Sequence, residues 1–313
     1  MWAITSYFNP VGYKRRQSNY RIFRANLAVP LVTVELSFDG RFELTGSDAD
    51  ILIQLSGGAV LWQKERLLNL ALKAVPSEVE EIAWLDCDVV LERTNWINDA
   101  QRQLNEFKVI QLFSAAVEIN SEDYEKRSDH YNGNGSVPSI ASLSNASELL
   151  SLGRQELNRI RATLNKKEVL FHPGLAWAAN RRLLEEHGFY DASILGGGDE
   201  LMAAAMYGQC ESVTRKFLLN AARQRHYLKW AIPFHKVVAG CIGHVPGTIF
   251  HLAHGERKNR AYSVRQEQLA SFDFDPDADL RIGVNGVWDW ARPRSDLEDF
   301  LRKYFISRAE DER

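Results

Sequence analysis

The chain has 313 residues, 45% of them hydrophobic, with 38 lysines and arginines against 41 aspartates and glutamates. That length and apolar content suit one large packed domain or two small ones and exclude a disordered chain. The net charge of -3 excludes a global attraction to nucleic acid or anionic lipid, so any basic site is local.

Trp2 to Tyr7 is an apolar, β-branched run broken by Asn9-Pro10 and Gly12, which predicts a strand and then a loop. From Tyr13 onward, Tyr20, Phe23 and Leu27 recur at helical intervals among Arg15, Arg16, Arg21 and Arg24, the pattern of an amphipathic helix with a basic outer face. Leu31 to Phe38 reads as a strand, Asp39-Gly40 as a turn, Ala49 to Leu55 as a strand and Leu61 to Ala74 as a helix. Glu81 to Leu85 is a short apolar strand entering Asp86-Cys87-Asp88, followed by a helix over Trp96 to Glu106 and a strand over Lys108 to Ala115. Such alternation predicts an α/β fold, an open, mostly parallel twisted sheet flanked by helices.

Ser121 to Ser147 is rich in Ser, Asn, Gly and Asp and is expected to be a long surface loop. Ala146 to Leu164 then reads as a helix, Phe171 to Asn180 as a strand, and Arg181 to His187 as a helix ended by Gly188. After Leu297 a helix and a charged, frayed end are expected. Cys87, Cys210 and Cys241 stand singly, which points to reducing, cytoplasmic surroundings. No stretch approaches the roughly 18 uninterrupted apolar residues of a membrane span, and MWAITSYFNPVGYKRR has no basic-then-apolar leader pattern. A soluble, unanchored protein is expected.

Two Asp-x-Asp triplets occur, Asp48-Ala49-Asp50 and Asp86-Cys87-Asp88. The first follows Thr45-Gly46-Ser47 at the beginning of a strand and reads as a turn. The second ends the buried strand EIAWL, where open α/β sheets bind their ligands. Isolated aspartates can equally cap a helix, but at a strand end their hard oxygens suit Mg²⁺ or Mn²⁺ and leave positions for diphosphate oxygens.

With these segments in order, the chain resembles the glycosyltransferase A fold and, locally, the β-1,4-galactosyltransferase superfamily. That superfamily has an aromatic-Asn-Arg-x-Lys-Leu-Leu-Asn helix before its Asp-x-Asp strand, and Trp62-Gln63-Lys64-Glu65-Arg66-Leu67-Leu68-Asn69 stands in its place. Lys64 replaces the nucleotide-contacting arginine, keeping the charge and losing the fork. The family's Gly-Gly-Glu-Asp segment beside the acceptor is matched by Gly197-Gly198-Asp199-Glu200 with the acids reversed, and its histidine metal ligand by His254 in Phe250-His251-Leu252-Ala253-His254-Gly255. The resemblance implies a single domain, with residues 1–115 binding the nucleotide sugar, 116–265 binding the acceptor, and 266–313 as an extension.

By the same resemblance the expected reaction is transfer of a sugar from a nucleoside diphosphate donor to a hydroxyl of a glycan or other acceptor, with inversion. Asp88 and His254 would hold the ion, with Asp86 bridging to it or to the ribose and Lys64 assisting. Thr5, Ser6 and Phe8 would meet the nucleotide, unless they are ordinary core. Trp177, Gly197 and Gly198 would meet the acceptor, and Glu200 or Asp199 would be the base. His251 and His254 lie three apart on a segment that reads as a strand, where such residues face opposite sides, so one of them is expected as a ligand. His130, His172, His187, His226, His235 and His244 lack ligand spacing and are assigned to core or surface. Lys14, Arg15 and Arg16, like Arg257, Arg260 and Arg265, fit either a solvated face or a diphosphate.

Two rivals come from other classes. A nucleotidyltransferase wants a Gly-rich phosphate loop after the first strand, where Ser6-Tyr7-Phe8-Asn9-Pro10 stands. A non-catalytic carbohydrate-binding protein could retain the fold. A nucleic-acid acceptor is a further possibility, disfavoured by the slightly acidic charge.

Overall fold

The structure, a computed structural model, describes residues 1–126, 135–163, 170–262 and 264–312. Strands and helices alternate through β1 (Trp2–Phe8), α1 (Lys14–Ala25), β2 (Leu31–Ser37), β3 (Ile51–Ser56), α2 (Lys64–Ala74) and β4 (Glu81–Leu85). β1 pairs in parallel with β2 and β4, and β2 with β3. β1 is buried along nearly all its length and runs without alternation. β2 alternates from Val32 to Ser37 yet is buried throughout, its polar Thr33 and Glu35 being hydrogen-bonded to the Tyr20 hydroxyl and the Glu43 amide.

The chain continues through β5 (Val89–Leu91), α3 (Trp96–Leu104), β6 (Val109–Gln111), β7 (Ala115–Ile119), α4 (Ser121–Lys126), β8 (Val137–Pro138), α5 (Ala146–Ser151), α6 (Arg154–Thr163), β9 (Ala176–Asn180) and α7 (Arg181–His187). It ends with α8 (Gly198–Met206), α9 (Cys210–Lys216), α10 (Ala221–Val238), β10 (Ile242–His244), β11 (Thr248–Leu252), α11 (Arg265–Ala270), α12 (Pro276–Asp279), β12 (Leu280–Ile282), β13 (Trp288–Trp290) and α13 (Ser295–Ser307).

Seven strands form the main sheet in the order β10-β6-β9-β4-β1-β2-β3, and a smaller sheet runs β5-β11-β7-β8. In the main sheet β9 is antiparallel to both neighbours while the other pairs are parallel. An antiparallel strand begins where its neighbours end. The residues leading into β9 therefore lie on the rim that β4 leaves, and the Asp86 amide donates to the Leu175 carbonyl at 2.8 Å.

The expected mostly parallel α/β sheet is present, with four local corrections. The strand expected over Lys108 to Ala115 is two, β6 in the main sheet and β7 in the smaller one, with Leu112 to Ser114 crossing between them. The expected loop from Ser121 to Ser147 contains α4 and β8, while residues 127–134, including His130, lie outside the described residues. The helix expected over Ala146 to Leu164 breaks at Leu152-Gly153, where the Gly153 amide donates to the Glu156 carboxylate at 2.9 Å, and residues 164–169 are outside the described set.

The fourth correction is the tail, which is packed inside. Leu297, Leu301, Tyr304 and Phe305 form a buried stripe at helical spacing that docks α13. Beyond it Arg308 and Glu310 are buried, and the Asp311 carboxylate accepts from the amides of Lys14 and Arg15 at 3.1 and 2.9 Å. Tyr13 makes no side-chain cap for α1, so the tail satisfies donors that the helix start leaves open. Among the described residues no helix is long and apolar enough to cross a membrane.

Candidate active site

A cleft of about 630 Å³ opens along the rim where β1 and β4 end. Its first wall is built on Asp88. The Leu252 amide donates to the Asp88 carbonyl at 2.8 Å, and His251 sits opposite Val89 in the pairing of β11 with β5, so the end of β11 is fixed beside the triplet. Asp88 Oδ2 lies 3.1 Å from His254 Nε2 and 3.7 Å from His251 Nε2. Both histidines thus converge on one carboxylate, which corrects the expectation that they face opposite sides. Strand alternation stops with β11 at Leu252, and the chain beyond it turns His254 back toward Asp88.

Ligand atoms of Asp88, His251 and His254 all lie within 4.8 Å of one another. Burial opposes the Asp88 charge, yet the two histidines hold its carboxyl well below the usual range. Its Oδ1 is buried and has no hydrogen-bond partner. Buried polar atoms are rarely left so. An orphan carboxylate oxygen beside two imidazoles fits a divalent first-row cation such as Mn²⁺.

Asp86 lies apart from this cluster. Its carboxylate turns to Lys64 Nζ, which also meets both Asp199 oxygens at 2.9 and 3.0 Å. Burial first, with the charges of Asp199 and Asp88, pushes the Asp86 carboxyl up to about 6 despite Lys64. The two aspartates of one triplet shift in opposite directions because burial is outweighed by two histidines at Asp88 and is not outweighed by Lys64 at Asp86, where Asp199 and Asp88 add to it.

A second wall is the start of α8, joined to the first through Lys64. Gly197, at φ 91° in the left-handed region, lets the chain turn into the helix, whose first turn carries Asp199 and Glu200. Both acids line the cleft. Glu200 is paired with Lys216, as Asp199 is with Lys64.

Of the residues expected at the nucleotide, Ser6 and Phe8 line the cleft. Thr5 is fully buried and donates its hydroxyl to the Leu85 carbonyl at 2.7 Å, tying β1 to β4. Of those expected at the acceptor, Gly197 is on the wall, while Gly198 is behind it against the Glu65 side chain. Trp177 is a core residue, stacked on Trp84 with ring centroids 6.4 Å apart and donating its indole N–H to the Pro173 carbonyl at 3.0 Å. An interior strand covered on both faces leaves it no route to the cleft. The Asp48-Ala49-Asp50 triplet is indeed a turn, with Asp48 accepting from the Thr45 amide at 2.7 Å.

Several further residues, left by the sequence without a settled role, belong to the lining. Trp62 stacks on Phe305, centroids 6.3 Å apart, under the Arg308 guanidinium. Arg260 is buried and donates to the Tyr262 hydroxyl at 3.2 Å and the His254 carbonyl at 3.4 Å; Arg265 is buried and donates to the Tyr304 hydroxyl at 2.6 Å. Neither is in direct contact with a carboxylate among the described residues; tyrosine hydroxyls and a carbonyl meet them, and the Glu118 charge favours the Arg260 cation from further off. Arg16, expected on an outer face, pairs with Glu310 inside. His172, assigned to core or surface, lines the cleft, where burial and the neighbouring His251, Arg257 and Arg260 push it down to about 3.

No family model matches the sequence, and no curated protein matches it. Among solved structures the chain is similar to glucosyl-3-phosphoglycerate synthase from Mycobacterium tuberculosis in complex with Mn²⁺, uridine diphosphate and phosphoglyceric acid. That alignment has 13% identity over 89% of this chain and 80% of the other, with a TM-score of 0.41. It is also similar to mouse xyloside xylosyltransferase 1, at 8% identity over 78% and 84% of the two chains and a TM-score of 0.34. A third similarity is to the galactosyltransferase LgtC in complex with donor and acceptor sugar analogs, at 9% identity over 98% and 96% and a TM-score of 0.33.

Proposed function

We propose that this chain is a metal-dependent glycosyltransferase that moves a sugar from a nucleoside diphosphate donor to a hydroxyl acceptor. The observation that supports this reading is one cleft with two unlike walls. One carries the unsaturated Asp88, His251 and His254 set and the other presents Asp199 and Glu200, with the buried Arg260 and Arg265 in the same lining.

In this reading Asp88, His251 and His254 hold the cation, which when bound neutralises charge on a diphosphate leaving group. Arg260 and Arg265 meet the remaining diphosphate oxygens. Ser6, Phe8 and Trp62 make the wall for the nucleoside. Asp199 or Glu200 takes the proton of the acceptor hydroxyl as its oxygen bonds to the anomeric carbon and the bond to the diphosphate oxygen breaks. Attack opposite the leaving group inverts the anomeric centre. A nucleotidyltransferase is less well supported, because Asn9 after β1 binds Tyr13 and Glu43 with its side chain and no Gly-rich phosphate loop comes after it.

The test is a screen for slow hydrolysis of nucleotide sugars with Mn²⁺ or Mg²⁺, which needs no acceptor. Asp88→Ala should keep the circular dichroism spectrum and weaken Mn²⁺-dependent nucleotide binding by more than about 100-fold, since losing even an outer partner of a ligand costs about 10–100-fold. Unchanged nucleotide affinity in calorimetry with Mn²⁺ would sink the metal assignment.

A further inference from the structure

We infer that Glu310, from the C-terminal tail, is the positioning residue for the cation site, holding the His254 ring so that Nε2 faces Asp88. The inference rests on the metal reading above. His254 stands between two carboxylates, one at each ring nitrogen: Asp88 Oδ2 is 3.1 Å from Nε2, and Glu310 Oε1 is 3.6 Å from Nδ1. Nδ1 is buried and has no hydrogen-bond partner, and the Glu310 carboxylate is the acceptor that stands beside it. A histidine that ligates through one nitrogen donates its other N–H to a carboxylate or carbonyl, which fixes the tautomer and raises the basicity of the ligating atom.

The placement of Glu310 is rigid. Its side chain is fully buried and is held by Arg16, with Nη2 2.8 Å from Oε1, and by Arg308. The Ala309 amide donates to the Tyr13 hydroxyl at 3.1 Å, and Asp311 caps α1. Gly255, directly after His254, has φ 66°, and a Cβ there would lie 2.7 Å from the Arg308 carbonyl oxygen and 2.9 Å from that of Ala309. The tail can pass beside His254 because that position has no side chain. Neutralising Arg16 and Arg308 would by itself require nothing of His254, so metal affinity separates the two roles.

The experiment titrates Mn²⁺ alone into the full chain and into Asp88→Ala, Glu310→Gln and Glu310→Asp, reading free Mn²⁺ by electron paramagnetic resonance and folding by circular dichroism and Tm. Glu310→Gln should weaken Mn²⁺ binding about 10–100-fold. Glu310→Asp keeps the charge for the arginines and withdraws the carboxylate by one methylene, so it should bind more weakly than the parent and more tightly than the glutamine variant. If Glu310→Gln does not fold, Glu310→Asp decides the matter. A parent that binds Mn²⁺, an Asp88→Ala that does not, and Glu310 variants with lowered Tm and unchanged affinity would overturn the role of Glu310 while leaving the metal reading intact. A parent that binds no Mn²⁺ overturns both.

Discussion

On one wall of the cleft Asp88, His251 and His254 converge with a carboxylate oxygen left unpartnered, whereas on the other Asp199 and Glu200 each already hold a lysine. The first wall is complete only with something added. On the second each acid is already paired, Asp199 with a lysine it shares with Asp86, so in the proposed reaction an acid there would exchange its lysine for an acceptor hydroxyl before taking a proton. An unsaturated donor set marks where a ligand stays, and a self-paired acid marks where one passes through.

The largest expected effect tests the second wall. Asp199→Asn and Glu200→Gln, made separately, should show a loss of about 10² to 10⁴ in turnover for whichever is the base, with donor affinity kept. Parent rates in both would remove catalysis from that wall. Next, His251→Ala and His254→Ala should each weaken Mn²⁺ binding by at least about 10-fold, because both rings face Asp88. A loss confined to His254 in the same titration would return the site to a single histidine and make His251 a packing residue.

The smallest effect is on stability and concerns His172 on the segment leading into β9. Its folded pKa of about 3 lies below the value near 6.5 of an unfolded histidine, so between these the unfolded chain binds more protons. Stability from this group is therefore present above pH ~6.5 and is lost as pH falls toward ~3, by at most about 1.4 kcal/mol per pH unit. His172→Gln should flatten the fall of Tm between pH 6 and 4. Parallel curves for parent and variant would mean that the imidazole is not held neutral.

How legible each part was depends on how local its cause is. β1 to β4 and α7 with Gly188 arise from apolar runs and breakers within a few residues, and their expected limits match the structure closely. The split of β6 from β7 is a change of sheet without a change of composition, so Leu112 to Ser114 gave no sign of it. That Asp88, His254 and Asp199 line one cleft was legible because each sits at the end of a recognisable element. His251 was misjudged because strand alternation was carried past Leu252, where the strand ends. The pairing of Asp86 with Lys64 was not legible, because nothing near Asp86 in sequence announces that partner. Arg308 and Glu310 in a charged tail acquire their surroundings only from distant packing, and composition pointed the wrong way for both, whereas Trp177 was placed at the acceptor by resemblance and is packed in the core.

The stack of Trp62 on Phe305 has an optical consequence. Of the eight tryptophans in the chain, Trp62 is the one that lines the cleft, while Trp84 and Trp177 are stacked on each other in the core. A nucleoside entering beside Phe8 would change the polarity around that single indole and leave the other seven as a constant background. The native chain therefore carries its own emission reporter of occupancy, and Trp62→Phe should silence that response without altering the spectrum contributed by the core.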